Sequence, residues 1–181
     1  MARPGKGGAC DRPEDGCVSA ERYRRSVVAG EPLPAVATLQ PPYSMLRPAI
    51  EHEILQFCME HTIGVIVYSP MLSGMLSGAM THERVANFSN DDWRRGNKEF
   101  QEPRLTANLA LVELLKHIGS QHDRSAGEVA IAWTLRHPGV TGAIVGGRNA
   151  AQVEGIIRAG TFRLSEEEIA KIAHFISAMP K

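Results

Sequence analysis

Several features that would decide a protein's class at once are missing from these 181 residues. No apolar run reaches the ~18 residues that a membrane-crossing helix needs. The first residues hold no apolar stretch of the kind a secretory signal requires, so no signal is expected. Charge of one sign is not in excess: Lys and Arg total 20, Asp and Glu total 20. A balanced chain with a near-neutral isoelectric point lacks the electrostatic footprint of a nucleic-acid binder. Paired cysteines are also missing. Cys10, Cys17 and Cys58 make an odd set. Cys10 and Cys17 stand too far apart for a metal pair, which takes about two to four intervening residues. The three read as reduced thiols of a cytoplasmic protein. His52-Glu53 has no second histidine one helical turn on, so no zincin motif exists and no metal site is expected.

The length allows one sizeable core. It is short for a closed eightfold βα barrel, which takes roughly 250 residues. Residues 1–16 are rich in Gly, Pro and charge, and read as disordered. Ser19 to Ala29 predicts a short helix, broken by Pro32 and Pro34. Residues 35–40 predict a strand stopped by Pro41-Pro42. Ile50, Ile54, Phe57 and Cys58 fall at helical spacing, with Gly64 suited to that helix's C-terminal end. A strand over 65–68 follows.

Residues 72–103, rich in Gly, Ser and Asn and carrying Trp93 and Phe100, predict a long excursion. Leu105, Leu109, Val112 and Leu115 mark a helix. Ser125 with Glu128 makes a capping box for the next, and Ser165 with Glu168 for the last. Between them lie a strand over 142–145 and a helix from about Asn149. Three apolar strands separated by helices argue for parallel pairing in an α/β fold.

Chemistry concentrates at the strand ends, where parallel α/β proteins place their sites. Tyr68 ends one strand, and its ring offers a face for a flat heteroaromatic ring. Gly146-Gly147-Arg148-Asn149 leads into a helix. The glycines allow close backbone approach, the helix N-terminus favours an anion, and Arg148 adds a fork of donors matched to phosphate. Gln40, ending another strand, has an amide able to pair with a carboxamide. Taken singly, each also fits a plainer role: a core tyrosine at an interface, a glycine turn beside a solvated arginine, a polar strand end.

Taken together, these residues resemble the aldo/keto reductases. The likeness is carried by Leu39-Gln40-Pro41-Pro42-Tyr43-Ser44 and by Val67-Tyr68-Ser69-Pro70-Met71 with Ser73-Gly74 and Ser77-Gly78. It continues through Ala130-Ile131-Ala132-Trp133 and Ile144-Val145-Gly146-Gly147-Arg148 with Gln152-Val153-Glu154. Order and spacing agree from about residue 17 onward. The resemblance implies a partial (β/α)8 TIM barrel over residues 17–181: about three C-terminal βα units plus closing helices. It implies that Gln40 holds the nicotinamide carboxamide and that Tyr68 stacks on the nicotinamide ring. Ser69, Pro70, Met71 and the following loop with Ser73 would cover the pyrophosphate. Gly146, Gly147, Arg148 and Gln152 would grip the adenosine 2′-phosphate, which favours NADP(H).

The chain departs from the family's pattern in three places. No segment matches the family's catalytic Asp, Tyr, Lys and His; Tyr23 and Tyr43 are not in that motif. Cys17-Val18-Ser19-Ala20 stands where Ser-Asn-Phe is usual. Gly155-Ile156 replaces the Glu-Asn that clamps adenine. The expectation is a truncated cofactor-binding half of an NADP(H)-dependent oxidoreductase acting on a small carbonyl substrate. It would be inactive alone and would self-associate through open barrel edges. The alternatives are a non-catalytic NADP-binding or interaction protein, and an unstable gene fragment.

Overall fold

A computed structural model describes residues 28–30 and 36–180. The expected N-terminal tail, Cys10, Cys17, Tyr23 and nearly all of the helix expected over 19–29 lie outside the described residues.

Three strands form one parallel sheet in chain order: β1 (Thr38–Leu39), β2 (Gly64–Tyr68) and β3 (Gly142–Ile144). Thr38 pairs with Gly64 and Leu39 with Val65; on the other edge Ile66 pairs with Gly142 and Tyr68 with Ile144. Parallel neighbours must be joined by crossovers. The first passes through α1 (Ile54–Glu60). The second runs through the excursion after β2, then α3 (Arg104–Ser120) and α4 (Ala126–Leu135). After β3 come α5 (Ala150–Ile157) and α6 (Glu166–Ser177). The C-terminal ends of all three strands therefore lie on one side, and the loops after them meet there.

The core sits between the sheet and its helices. Leu55, Val65, Val67, Leu111, Leu115 and Val129 are all fully buried. Helix α4 is buried on nearly every face and packs against α3, α5 and the turn at Met75–Ser77. A helix apolar all round belongs inside a fold. Among the described residues, no helix is long and apolar enough to cross a membrane.

Local chemistry explains where elements start. Both expected capping boxes form. Ser125 Oγ accepts from the Glu128 amide at 3.1 Å while Glu128 Oε2 accepts from the Ser125 amide at 2.8 Å. Ser165 and Glu168 repeat this at 3.3 and 2.8 Å. Asn149 caps α5, its Oδ1 accepting from the Gln152 amide at 3.0 Å.

Three details differ from expectation. The strand expected over 35–40 is a ladder at Thr38–Leu39 only. Prolines cannot donate, yet the chain stays beside β2, because Pro41 O accepts from the Tyr68 amide at 3.1 Å and Tyr43 N donates to Tyr68 O at 3.0 Å. Gly64 does not end α1 but starts β2; the left-handed residue is Thr62, at φ 56°, and Ile63 N closes the turn on Cys58 O at 2.8 Å. The excursion is not featureless. It folds into α2 (His82–Ala86) and short 3-10 turns at Met75–Ser77, Trp93–Gly96 and Lys98–Phe100. Thr81, Asp92 and Asn97 cap three of these with their side chains.

A polar clasp ties the β1–α1 loop to the end of α4. Buried Tyr43 donates to Glu51 Oε1 at 2.5 Å and accepts from Arg136 Nη1 at 2.7 Å. Arg136 Nη2 reaches Glu51 Oε1 at 2.9 Å, and its guanidinium lies 3.6 Å from the centroid of the Trp133 ring. Burial, reinforced by the Glu51 hydrogen bond, pushes the Tyr43 hydroxyl far above the ordinary phenol range.

Gly119 is required by close approach: a Cβ there would lie 2.3 Å from the Arg124 carbonyl oxygen. Gly119→Ala is expected to cost about 1–3 kcal/mol by overpacking. Gly155→Ala, in helix α5 with open space around the added carbon, is expected to be neutral or to gain up to ~1 kcal/mol. Urea unfolding of both variants measures these opposite signs.

Burial raises the Glu168 carboxyl, but the Ser165 amide and the His122 and Ser165 hydrogen bonds outweigh it and hold it below the ordinary glutamate range. His122 Nε2 lies 2.5 Å from Glu168 Oε1. A depressed carboxylate contributes stability that is present above its unfolded pKa and lost as pH falls through its folded one. The melting midpoint is expected to drop as pH falls below about 4.5, with a shallower acid slope in Glu168→Gln. Equal slopes in the two proteins would refute this.

Candidate functional site

A cleft of about 720 Å³ opens where the ends of β2 and β3 meet. One wall is the turn after β2, the other the turn before α5. Tyr68, Ser69, Pro70, Met71, Ser73, Gly146, Gly147, Arg148 and Gln152 all line it. These are nine of the ten residues singled out from sequence. Gln40 is not brought into the cleft. It is exposed at the end of β1, adjacent to Tyr68 only through the bridge between Pro42 and Tyr68.

Tyr68 owes its position to the ladder. Its amide and carbonyl are held by Pro41 and Tyr43, and the alternation along β2 leaves its side chain 40% exposed. An aromatic face is thus presented to the cleft from a fixed backbone.

The turn after β2 is strained and deeply anchored. Ser69, Leu72 and Ser73 take left-handed backbone angles, at φ 58°, 45° and 54°. Such angles cost a non-glycine residue of order 1–3 kcal/mol each and persist only where the surroundings over-determine them. Here Leu72, Met75 and Leu76 are 3%, 0% and 0% exposed, and burial of that order offsets the strain. Leu72 N bonds Ser69 O at 2.9 Å, and Leu76 N and Gly74 N both bond Met71 O at 3.1 Å. Strained positions of this kind cluster at binding sites.

The opposite turn is tight. A Cβ on Gly147 would lie 2.8 Å from Val153 Cγ2. Arg148 N donates to Gln152 Oε1 at 2.9 Å, closing the turn on the first turn of α5. The Arg148 side chain is exposed, and no ion pair holds its guanidinium among the described residues.

Sequence reading missed two further cations on the cleft, Arg84 and Arg94. Arg84 Nη1 donates to Ala79 O at 3.2 Å. Arg94 is gripped by Asp92, with Nε to Oδ1 at 2.9 Å and Nη2 to Oδ2 at 2.5 Å, and lies 4.1 Å from the centroid of the Phe88 ring. The Arg94 hydrogen bond holds the Asp92 carboxyl down at about 2. The available signal was the Asp92-x-Arg94 spacing, which suits a side-chain cap, but nothing local says that this turn folds back onto the cleft. Gly127, on α4, forms part of the floor beside Met71; a Cβ there would come 3.1 Å from Met71 Sδ.

The cleft can therefore take a ligand that combines an aromatic ring with anionic groups. Tyr43 cannot serve it as an acid: its hydroxyl is buried in the clasp, away from the lining residues.

Comparison with known proteins bears on this site. A family model described as the aldo/keto reductase family matches residues 18–177. Aldo-keto reductase YhdN of Bacillus subtilis is 30% identical over 132 residues, which are 72% of this chain and 39% of that protein. The NADH-specific methylglyoxal reductase of Escherichia coli is 26% identical over 165 residues, 91% of this chain and 48% of that protein. An NADP(+) aldo-keto reductase of Schizosaccharomyces pombe, yakc, is 27% identical over 154 residues, 85% of this chain and 44% of that protein. The chain spans half or less of the length of these curated relatives. Among solved structures, a glycerol dehydrogenase of Gluconobacter oxydans superposes with a TM-score of 0.77 at 25% identity, covering 91% of this chain and 51% of that one.

Proposed function

Since the chain belongs to the aldo/keto reductase family, a family of oxidoreductases, we propose that its cleft binds NADP(H) and supplies the cofactor side of a carbonyl reduction. The observation that carries this reading is the convergence of Tyr68, Ser69–Met71, Ser73, Gly146–Arg148 and Gln152 on one cleft.

The residues fit such a group. The exposed face of Tyr68 suits the nicotinamide ring. Arg84, Arg94 and the strained Ser69–Ser73 turn border the place for the pyrophosphate. Arg148, whose guanidinium has no ion-pair partner among the described residues and stands beside a helix N-terminus, suits a 2′-phosphate. Gln40, one strand over from Tyr68, is proposed for the carboxamide. Relatives are named for both cofactors, one NADP(+) and one NADH-specific; Arg148 favours the phosphorylated form here.

When bound, the cofactor supplies the hydride. The protein must orient the ring and provide a proton for the developing alkoxide. Among the described residues the one tyrosine lining the cleft is Tyr68, which this reading assigns to the ring face, leaving no second phenol there to act as the acid. We therefore propose a partial (β/α)8 barrel in which residues 17–181 carry the cofactor-binding half, while the proton-donating half comes from another segment or polypeptide. Self-association through the outer strands β1 and β3 is part of the same proposal, since each has one partner strand among the described residues. A second reading, a non-catalytic NADP-binding protein, is favoured by the sealing of Tyr43 within the clasp.

Arg148→Ala is expected to weaken NADPH binding more than NADH binding. A charge-assisted hydrogen bond contributes about 1.5–3 kcal/mol. Fluorescence titration of both cofactors against both proteins reads this, and equal affinities for NADPH and NADH in the unmutated chain would sink the preference.

These residues alone are expected to oxidise no NADPH with a panel of aldehydes, because a positioned general acid supplies about 10²–10⁴-fold and this reading places it on another segment or polypeptide. Mixing with the first-half polypeptide of an intact reductase is expected to restore turnover. Turnover by the chain alone, lost in Tyr43→Phe, would show that the clasp tyrosine is the proton donor after all.

A further inference from the structure

We propose that Trp93 is a stacking platform for the adenine ring of the dinucleotide, with Asp91 receiving the ring's exocyclic amine. This deepens the NADP(H) reading and rests on it. A dinucleotide carries two flat rings, one at each end of its phosphates. The cleft presents one exposed aromatic face at Tyr68. A second depression, lined by Ser73, Ser89, Asp91, Asp92, Trp93, Arg94 and Arg148, shares Ser73, Arg94 and Arg148 with the cleft. The two are therefore neighbours, one on each side of the wall formed by Ser73, Arg94 and Arg148. Trp93 is 63% exposed, and an exposed indole beside two arginines, Arg94 and Arg148, is an unusual use of so large an apolar surface.

The turn that carries the platform is pinned by hydrogen bonds. Asp92 caps the turn that carries Trp93, through its Oδ1 to the Arg94 amide at 3.0 Å. Arg95 Nη1 donates to Phe88 O at 2.7 Å, and Gln101 Nε2 donates to Arg95 O at 2.7 Å. A backbone held in place before binding leaves only the side-chain torsions of Trp93 to be ordered on stacking.

Charge selects which part of the ligand lies here. Two carboxylates border this depression. Asp92 is occupied by Arg94, while Asp91, hydrogen-bonded to Ser89, stays ionised. Outside any ion pair among the described residues, such a carboxylate repels phosphate but can accept a further hydrogen bond from an amino group such as the N6 of adenine.

The test uses the whole chain and the two halves of the dinucleotide as probes: 2′,5′-ADP and nicotinamide mononucleotide. Calorimetry is expected to show 2′,5′-ADP about tenfold weaker in Trp93→Ala and within about threefold of the unmutated protein in Trp93→Phe. Nicotinamide mononucleotide is expected to bind all three equally. In Trp133→Phe, which leaves Trp93 as the sole tryptophan, 2′,5′-ADP is expected to quench the emission. If 2′,5′-ADP and NADPH bind Trp93→Ala as they bind the unmutated chain, the platform is refuted while the cofactor reading stands. Equal weakening of both probes would also refute it, by revealing a general distortion. If the unmutated chain binds neither NADPH nor 2′,5′-ADP, both readings fall.

Discussion

Strand β2 is bonded along both edges, and everything else takes its place from that. Its first residues pair with β1 and its last with β3. The register leaves Val65 and Val67 facing the core and carries Tyr68 to the rim. A slip of one residue would exchange those faces, burying the phenol and exposing the valines. Because both neighbours are parallel to β2, the loops after β2 and β3 emerge side by side. The cleft is the space between them.

The loop after β2 shows how a site is kept out of its local minimum. Left-handed angles at Ser69, Leu72 and Ser73 are unfavourable taken alone. They persist because the same segment drives Leu72, Met75 and Leu76 beneath the surface, against α3 and α4. The buried residues and the strained ones are interleaved, so the cleft's shape and the core's packing are set by one short stretch. Gly127 completes the arrangement from the far side, since the lack of a side chain on α4 leaves room for Met71.

What could be read from residues alone was what short-range chemistry decides. The capping boxes at Ser125 and Ser165 need only residues three apart, and both form. Tyr68 and Gly146–Arg148 stand at the ends of apolar runs, and periodicity alone locates such ends. Legibility failed where distant parts of the chain choose. Gly64 looks like a helix stop, yet the ladder with Ala37 and Thr38 takes it as a strand start, leaving Thr62 to turn the chain. Pro41 and Pro42 look like a full stop, yet the Pro41 carbonyl and the Tyr43 amide continue the pairing. Arg84 and Arg94 lie in a segment whose composition suggests an unstructured loop. Their place on the cleft depends on side-chain caps at Thr81 and Asp92 and on buried Phe88 and Phe100, which pack their rings at 5.8 Å. Gln40 was read at a strand end correctly, but that strand lies one position away from the cleft.

The clasp of Tyr43, Glu51 and Arg136 has a consequence for how the molecule opens. Its members come from the loop after β1 and from the C-terminal cap of α4, separated by up to 93 residues of chain. Neither end can be released alone without stranding a carboxylate or a guanidinium in a half-buried site, which is costly. Opening of the loop between β1 and α1 is thereby coupled to the end of α4, and that loop and the helix feeding β3 form one unit of hydrogen-exchange protection rather than two.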